Sequence, residues 1–362
     1  MRIAIVGSGL IGASVGLAAK RRGEDAVVAY DADEGAAATA VEVGAADETA
    51  GSLHAALEGA DLAVVAVPVA VLAETVTAAL AASGGECTVT DVGSTKAAVC
   101  QAAARSQRFV GGHPVCGSEA RGPEHANGDL FAGASWFLTP TADTAPDRYR
   151  LVHGFVSRLG ATPVAVDPVA HDRLVALTSH LPHALANLLL NQAGATRVDG
   201  PEPLSVAGGS LRDMTRVAGA NPRIWVDIFL DNAGAISDAL AEHRRRVEQV
   251  ERALETGDAG FLARWIGEAA GNRRELLAGA YPDPGDLHQV RVHVPDRPGV
   301  LAGITQALSA ARINIEDFEL QHVSPERGGT LTLLVAGADQ SRYAAELLER
   351  QGYSALVAPV AS

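Results

Sequence analysis

Met1-Arg-Ile-Ala-Ile-Val6 runs directly into Gly7-Ser-Gly9-Leu-Ile-Gly12. The first six residues read as a buried strand, Ala13 to Arg22 as a helix, and Val27-Val-Ala-Tyr30 as a second strand ending at Asp31. Strand, G-x-G-x-x-G, helix, strand and acid, in that order, make the setting of a dinucleotide site. Gly7 allows the tight turn, Gly9 lets backbone N–H groups approach a pyrophosphate, and Gly12 lets the helix lie close on the strand. The phosphates would sit at the helix N-terminus, beside Ser8, Leu10 and Ile11, where partial positive charge gathers. Asp31 follows Gly12 by nineteen residues and can accept hydrogen bonds from an adenosine ribose. It would repel a 2′-phosphate, so NAD is the expected cofactor rather than NADP. A glycine turn joining any buried strand to a helix carries similar glycines. The second strand and the acid in register favour the nucleotide.

Outward from this motif the alternation continues. Asp61 to Val67, ended by Pro68, is a buried strand, and Cys87–Val92, Arg108–Gly111, Ser135–Leu138 and Pro163–Val166 add more. Short apolar runs separated by helical stretches predict an α/β, doubly wound Rossmann-type sheet over residues 1–167. Ligands of such sheets sit at the carboxyl ends of the strands. Val67 and Pro68, Asp91 to Lys96, and Gly111 to Gly117 fall there.

Residues 168–282 predict an all-α second domain: Ala170–Thr196 with Pro182 inside it, a single helix from Pro222 to Leu254, and another from Asp258 to Ala280. Ile224, Ile228, Phe229 and Ile236 form a wide apolar face. Either a symmetric partner or the first domain covers it, and a homodimer is expected. Tyr281 to Asp286 reads as a linker. Residues 288–362 predict a βαββαβ unit, with strands at Gln289–Val294, Ile315–Val323, Thr330–Val335 and Tyr353–Val357. Its helices are Val300–Ala311 and Ser341–Gln351, and Gly328-Gly329 joins the middle strands.

Composition narrows the classes. A net charge of −14 argues against nucleic acid as a partner and requires any anionic ligand to be held by local cations. No apolar run is long and uncharged enough to span a bilayer, and no leader is read because the apolar start is the first strand. Cys87, Cys100 and Cys116 have no paired spacing, which fits reduced thiols and a cytoplasmic location. Only Lys20 and Lys96 are lysines among the 29 basic residues. A hydroxyacid dehydrogenase that uses a second-domain lysine is therefore not expected.

Four segments carry chemistry. In Asp91-Val-Gly-Ser94-Thr-Lys96, Ser94 either caps the next helix or orients a substrate, and Lys96 reads as a solvated helix residue or a minor cofactor contact. In Gly111-Gly-His113-Pro-Val-Cys-Gly117, glycines and a proline hold His113 on a loop, where it can move a proton at neutral pH or bond to nearby backbone. His180 and His183, three residues apart, follow His171 and Asp172. Pro182 between them and the lack of a neighbouring carboxylate argue against a metal, and a neutral histidine donating to an anionic substrate fits better. Arg212 and Arg216, four apart before the Asn221-Pro222 helix start, form an anion clamp or structural salt bridges.

Together these residues resemble the prephenate dehydrogenase family. The likeness rests on the fingerprint with Asp31, Asp91–Lys96, Gly112–Gly117, Thr178–His183, and Asp213–Arg216 before Trp225, and covers residues 1 to about 280. The C-terminal unit, with Asp296-Arg-Pro-Gly299 and Ile313-Asn-Ile315, is similar to an ACT domain, an amino-acid-sensing module. The resemblance implies that prephenate is oxidised at its ring carbinol, hydride passes to nicotinamide, and CO2 leaves to give 4-hydroxyphenylpyruvate. His113 would then take the hydroxyl proton and Ser94 would orient the hydroxyl. Arg216, His183, Ser94 and Gly209 would contact the substrate. Gly7, Ser8, Gly9, Leu10, Ile11, Gly12, Asp31, Val67, Pro68 and Ser94 would hold NAD. Glu119, Asp172 and Arg212 would make ionic contacts at the site entrance. Asp296, Gly299 and Asn314 would serve an effector, with tyrosine expected. One departure is Val115-Cys116, where the family usually has Met after His-Pro. Arogenate dehydrogenase and 4-amino-4-deoxyprephenate dehydrogenase use the same scaffold. A non-catalytic NAD and amino-acid sensor is a rival of another class, but it would lack the base or the clamp.

Overall fold

The computed structural model describes residues 1–22, 25–116, 120–197, 199–200, 202–278, 287–324 and 328–359. Glu119 and the linker at 281–286 lie outside them. The chain divides into two compact units, Met1–Arg244 and Arg245–Ser362.

The first unit is built on an eight-stranded sheet. Its strands are β1 (Arg2–Val6), β2 (Ala26–Tyr30), β3 (Glu48–Thr49), β4 (Leu62–Val65), β5 (Thr88–Asp91), β6 (Phe109–Pro114), β7 (Ser135–Thr139) and β8 (Thr162–Ala165). They lie in the order β3-β2-β1-β4-β5-β6-β7-β8, with β1 to β6 parallel. This is the doubly wound order of a dinucleotide-binding sheet, lengthened at one edge. Helices α1 (Leu10–Arg22), α2 (Glu34–Glu42), α3 (Leu53–Leu57), α4 (Val69–Ala82), α5 (Ala97–Ala102) and α6 (Pro146–Arg158) connect them. Both faces are covered, so the central strands are apolar on both sides: every residue of β4 is buried.

One pairing departs from a purely parallel reading. β7 runs antiparallel to β6, with Gly112 opposite Leu138 and His113 opposite Phe137. This pairing extends β6 to Pro114, so His113 stands on a strand and not on the expected loop.

The helical part follows with α7 (Pro168–Val175), a π-helical turn at Ala176–His180, then α8 (Leu181–Ala195), α9 (Gly209–Thr215), α10 (Pro222–Asp231), α11 (Ala233–Thr256) and α12 (Ala259–Ala278). Asp167 caps α7 by accepting from Val169 and Ala170, and Asn221 caps α10 by accepting from Arg223, each with proline at the first helical position. Pro182 is the second residue of α8, directly after the π-helical turn. The single helix expected from Pro222 to Leu254 is instead two. Asn232 leaves helical geometry and turns its amide to the Asp172 carbonyl at 2.8 Å and to His180 Nδ1 at 3.1 Å. A buried side chain with two tertiary partners outweighs the weak local preference for continuing the helix.

The second unit holds a four-stranded antiparallel sheet of order β10-β11-β9-β12. Its elements are β9 (Leu287–Val294), α13 (Val300–Ala310), β10 (Asp317–Ser324), β11 (Gly328–Ala336), α14 (Ala338–Arg350) and β12 (Ser354–Pro359). The βαββαβ order is the expected one. Val290, Val292, Ile304, Leu308, Leu331, Leu333, Ala344 and Leu348 form its core. Gly328, at φ 71°, opens β11.

Candidate active site

The turn after β1 is built for close approach. Gly7 has φ 98°, where only glycine is unstrained. A Cβ on Gly12 would stand 2.0 Å from the Gly7 carbonyl oxygen, so α1 can press on the turn only with glycine there. A Cβ on Gly9 would meet nothing within 4 Å, which marks the open side of the turn. No acid occupies the first turn of α1, so the positive end of its dipole is unopposed. The Ser8 hydroxyl is buried without a hydrogen-bond partner among the described residues. Asp31 accepts from Ser8 N–H at 2.6 Å and Asp33 N–H at 2.9 Å, which fixes its carboxylate at the end of β2. Val67 packs against the same turn, within 3.1 Å of a Gly7 Cβ, and Pro68 caps α4. An open glycine turn, an unopposed helix start, an orphaned hydroxyl and a fixed carboxylate fit a dinucleotide.

Beyond the ends of β5 and β6 lies a second cluster. Asp91, fully buried, accepts from Gly93 N–H at 2.8 Å and from Gly112 N–H at 3.1 Å, and pairs with Lys96 Nζ. Lys96 is therefore neither solvated nor a cofactor contact. Its stem passes 3.5 Å from where a Gly111 Cβ would stand, and the glycine leaves room for it. Ser94, half-buried, sits in the loop after β5, between Asp91 and Lys96.

His113 points across the sheet edge to α7. Its Nδ1 lies 2.9 Å from His171 Nε2, and His171 Nδ1 lies 2.8 Å from Asp172 Oδ1. The Asp172 carboxylate also accepts from Lys96 N–H at 2.7 Å and Ala97 N–H at 2.8 Å, capping α5. Phe137 packs against both imidazoles, its ring centroid 6.3 Å from His113 and 5.3 Å from His171. Burial holds the His113 imidazole well below its ordinary range; positive charge on His171, Lys96 or His180 adds in the same direction.

The π-helical turn sets the next histidines. His180 ends that turn and His183 follows three residues on in α8, so both share one face and reach the same indole: His183 stacks on Trp225 with centroids 3.5 Å apart, and His180 meets it edge-on at 5.9 Å. Burial pushes His180 down to about 4, against the opposing pull of Asp172. His183 is lowered by burial and by Arg216, while its Nδ1, 3.0 Å from the Ser179 carbonyl, works the other way. That geometry corrects one expectation. The Nδ1–H of a neutral His183 is spent on Ser179, so the ring meets an anion as a donor only after Nε2 gains a proton.

The candidate residues divide accordingly. His113, His180, His183 and Arg216 are each within electrostatic reach of the next. Arg216 is exposed beyond α9, and Gly209 begins that helix. Of the expected ionic contacts at the entrance, Glu119 lies outside the described residues and Arg212 is exposed on α9. Asp172 is 5% exposed and grips backbone and His171, so its place is inside and not at an entrance. Cys116 is half-buried, and burial raises its thiol to about 11, which leaves it inert at neutral pH. Among the described residues no cluster of metal-ligating side chains occurs. In the second unit, Gly299 at φ 89° precedes α13 and Asn314 donates to Glu316 at 2.7 Å. The sequence alone assigns no role to Asp91, Phe137, Trp225 or Asn232. The adjacent His171-Asp172 pair at a helix start was a visible signal.

Residues 15–165 match the family model described as prephenate dehydrogenase, nucleotide-binding domain. Residues 167–268 match its dimerization domain, and 288–350 match the ACT domain. A prephenate dehydrogenase of Bacillus subtilis is 32% identical over 360 residues, 96% of this chain and 95% of the relative. A cyclohexadienyl dehydrogenase of Zymomonas mobilis is 30% identical over 279 residues, 76% of this chain and 95% of the relative. Among solved structures, prephenate dehydrogenase from A. aeolicus in complex with hydroxyphenyl propionate and NAD+ aligns at TM-score 0.72 and 28% identity. That alignment covers 76% of this chain and 98% of the other. Synechocystis arogenate dehydrogenase aligns at TM-score 0.69 and 28% identity, covering 76% and 100%.

Proposed function

We infer an activity for this chain, which belongs to the prephenate dehydrogenase family: NAD-dependent oxidative decarboxylation of prephenate to 4-hydroxyphenylpyruvate. The chain is an oxidoreductase with an NAD-binding domain. The observation that carries the chemistry is geometric: His113 stands partly exposed at the carboxyl end of β6 with its Nδ1 held 2.9 Å from His171, and burial lowers its pKa.

NAD, when bound at the glycine turn, Asp31, Val67 and Pro68, supplies the hydride acceptor. The protein has less to do, because loss of CO2 makes the ring aromatic and drives the reaction. His113 takes the hydroxyl proton at Nε2, the nitrogen that His171 leaves uncovered. Ser94, in the loop after β5, orients that hydroxyl. Arg216 pairs with a substrate carboxylate, since a guanidinium offers two parallel donors. His183 binds the same dianion once its Nε2 is protonated, and the Trp225 face beneath stabilises the resulting cation. Gly209 brings backbone close to the substrate at the start of α9.

The ACT domain points to an amino-acid effector, and we propose tyrosine, the amino acid this product leads to. The Asp296–Gly299 turn and Asn314 are the residues assigned to it. A dimerization domain accords with the exposed apolar residues Ile224, Val226 and Leu230 on α10, and a homodimer is proposed. No helix among the described residues is long and apolar enough to cross a membrane. Three free cysteines support a cytoplasmic location.

The deciding experiment is NADH production with prephenate and with arogenate, each with and without tyrosine. Turnover of prephenate that tyrosine suppresses is the expected result. Turnover of arogenate alone would move the substrate to the amine analogue. Absence of turnover with both would overturn the reading.

A further inference from the structure

Three groups are joined in series, the last two of them buried: His113 Nδ1 to His171 Nε2 at 2.9 Å, then His171 Nδ1 to Asp172 Oδ1 at 2.8 Å. The direction of the protons follows from the last group. Both oxygens of Asp172 already accept backbone N–H groups, from Lys96 and Ala97. A carboxylate so engaged only accepts, so His171 Nδ1 carries a hydrogen and donates it. Neutral His171 then has a bare Nε2. The hydrogen between the two rings therefore belongs to His113 Nδ1, and His113 Nε2 is left with its lone pair.

We propose that His171 is a positioning residue that fixes His113 in the Nδ1–H tautomer and transmits the negative charge of Asp172 to it. This rests on His113 being the base of the proposed reaction. A histidine pair would otherwise interconvert between two tautomers, and the Nε2–H form of His113 presents an N–H to the substrate hydroxyl and cannot take its proton. In the step itself, the O–H bond breaks and a bond forms from that proton to His113 Nε2, giving an imidazolium. Its Nδ1–H remains on His171, whose own Nδ1–H remains on Asp172. The groups facing the pair from other elements are Phe137 on β7, His180 on the π-helical turn and Lys96 ahead of α5. Phe137 is neutral, and positive charge on the other two opposes the imidazolium. Asp172, reached through His171, is the group that favours it. His171 is completely buried, so no solvent substitutes for it. The same logic of a third group orienting the base operates in hydrolase triads.

The test uses the full-length chain with two variants, His171→Leu, which removes the acceptor, and His171→Gln, which places an amide oxygen near the former Nε2. In the wild-type protein labelled with 15N-histidine, His113 is identified by the signal lost in His113→Asn. Its Nδ1 is expected to resonate as a protonated nitrogen and its Nε2 as a bare one. In His171→Leu, kcat for NADH formation should fall by about a hundredfold with KM within a few-fold. The acid limb of the kcat profile should also move, and His113 should show averaged tautomers. His171→Gln should recover most of kcat and the Nδ1–H signature. A wild-type His113 protonated at Nε2, unchanged kcat in His171→Leu, or a Gln variant as slow as Leu despite an intact thermal transition would each overturn the proposal. Should His171→Leu fail to fold, the Gln variant and the wild-type spectrum decide. If the wild-type chain turns over neither prephenate nor arogenate, the functional reading fails by itself, and the spectrum still reports whether His171 sets the tautomer.

Discussion

Ser8 donates its backbone N–H to the Asp31 carboxylate at 2.6 Å, joining the glycine turn to the end of β2. The bond holds in place the acid that would meet the adenosine ribose, before any cofactor arrives.

Replacing Asp31 with alanine should therefore raise the KM for NAD by about tenfold, the worth of one charge-assisted hydrogen bond. It should also narrow the preference for NAD over NADP, since the repelling carboxylate is gone. Initial rates at varied NAD and NADP check both. An Asp31→Ala enzyme with the wild-type preference would remove Asp31 from cofactor selection.

His113→Asn should lower kcat by about two to four orders of magnitude while KM for the substrate changes little, because the lost group acts only as the proton moves. Steady-state kinetics at several pH values are the measurement. Near-normal turnover would identify another base.

Arg216→Ala should act chiefly on KM, raising it by about 10- to 100-fold with kcat held within a few-fold. His183 belongs to the same test. Its Nδ1–H is committed to Ser179, so dianion binding draws a proton to Nε2, and substrate affinity should weaken as pH rises. A KM that is flat with pH in the wild type would argue against this role for His183.

His180 makes the fold itself sensitive to acid. Its folded pKa is about 4 against an ordinary value of 6.5, so the unfolded chain binds the extra proton between those values. The associated stability is fully present above pH 6.5 and is lost as pH falls toward 4, by about 3 kcal/mol at most. His180→Phe should flatten part of the slope of thermal midpoint against pH over that window. An unaltered slope would assign the acid sensitivity elsewhere.

Much of this was legible in the sequence because it depends on local chemistry. The glycine turn needs three glycines at set spacing, and β1, β2 and β4 are runs that can only be buried. The order of the C-terminal unit follows from alternating strand and helix patterns. What the sequence hid depends on partners far apart in the chain. Lys96 looks solvated until Asp91 and the space above Gly111 are seen together. The break at Asn232 is announced only weakly, by Gly234 two residues on, and is imposed by the Asp172 carbonyl and His180. The antiparallel β6–β7 pair, which turns the expected His113 loop into strand, is equally invisible in residue order.

Lys96 has two unlike attachments: its backbone N–H to Asp172 and its ammonium to Asp91, which in turn holds Gly112 beside His113. A single residue thus rivets the strand bearing one imidazole to the helix bearing the other. Drift of α7 away from the sheet must rupture the clasp on Lys96 and Ala97 before the two rings can separate. Misalignment of the histidines is in this way coupled to unseating a whole helix start, and the reacting nitrogen inherits the stiffness of the scaffold around it.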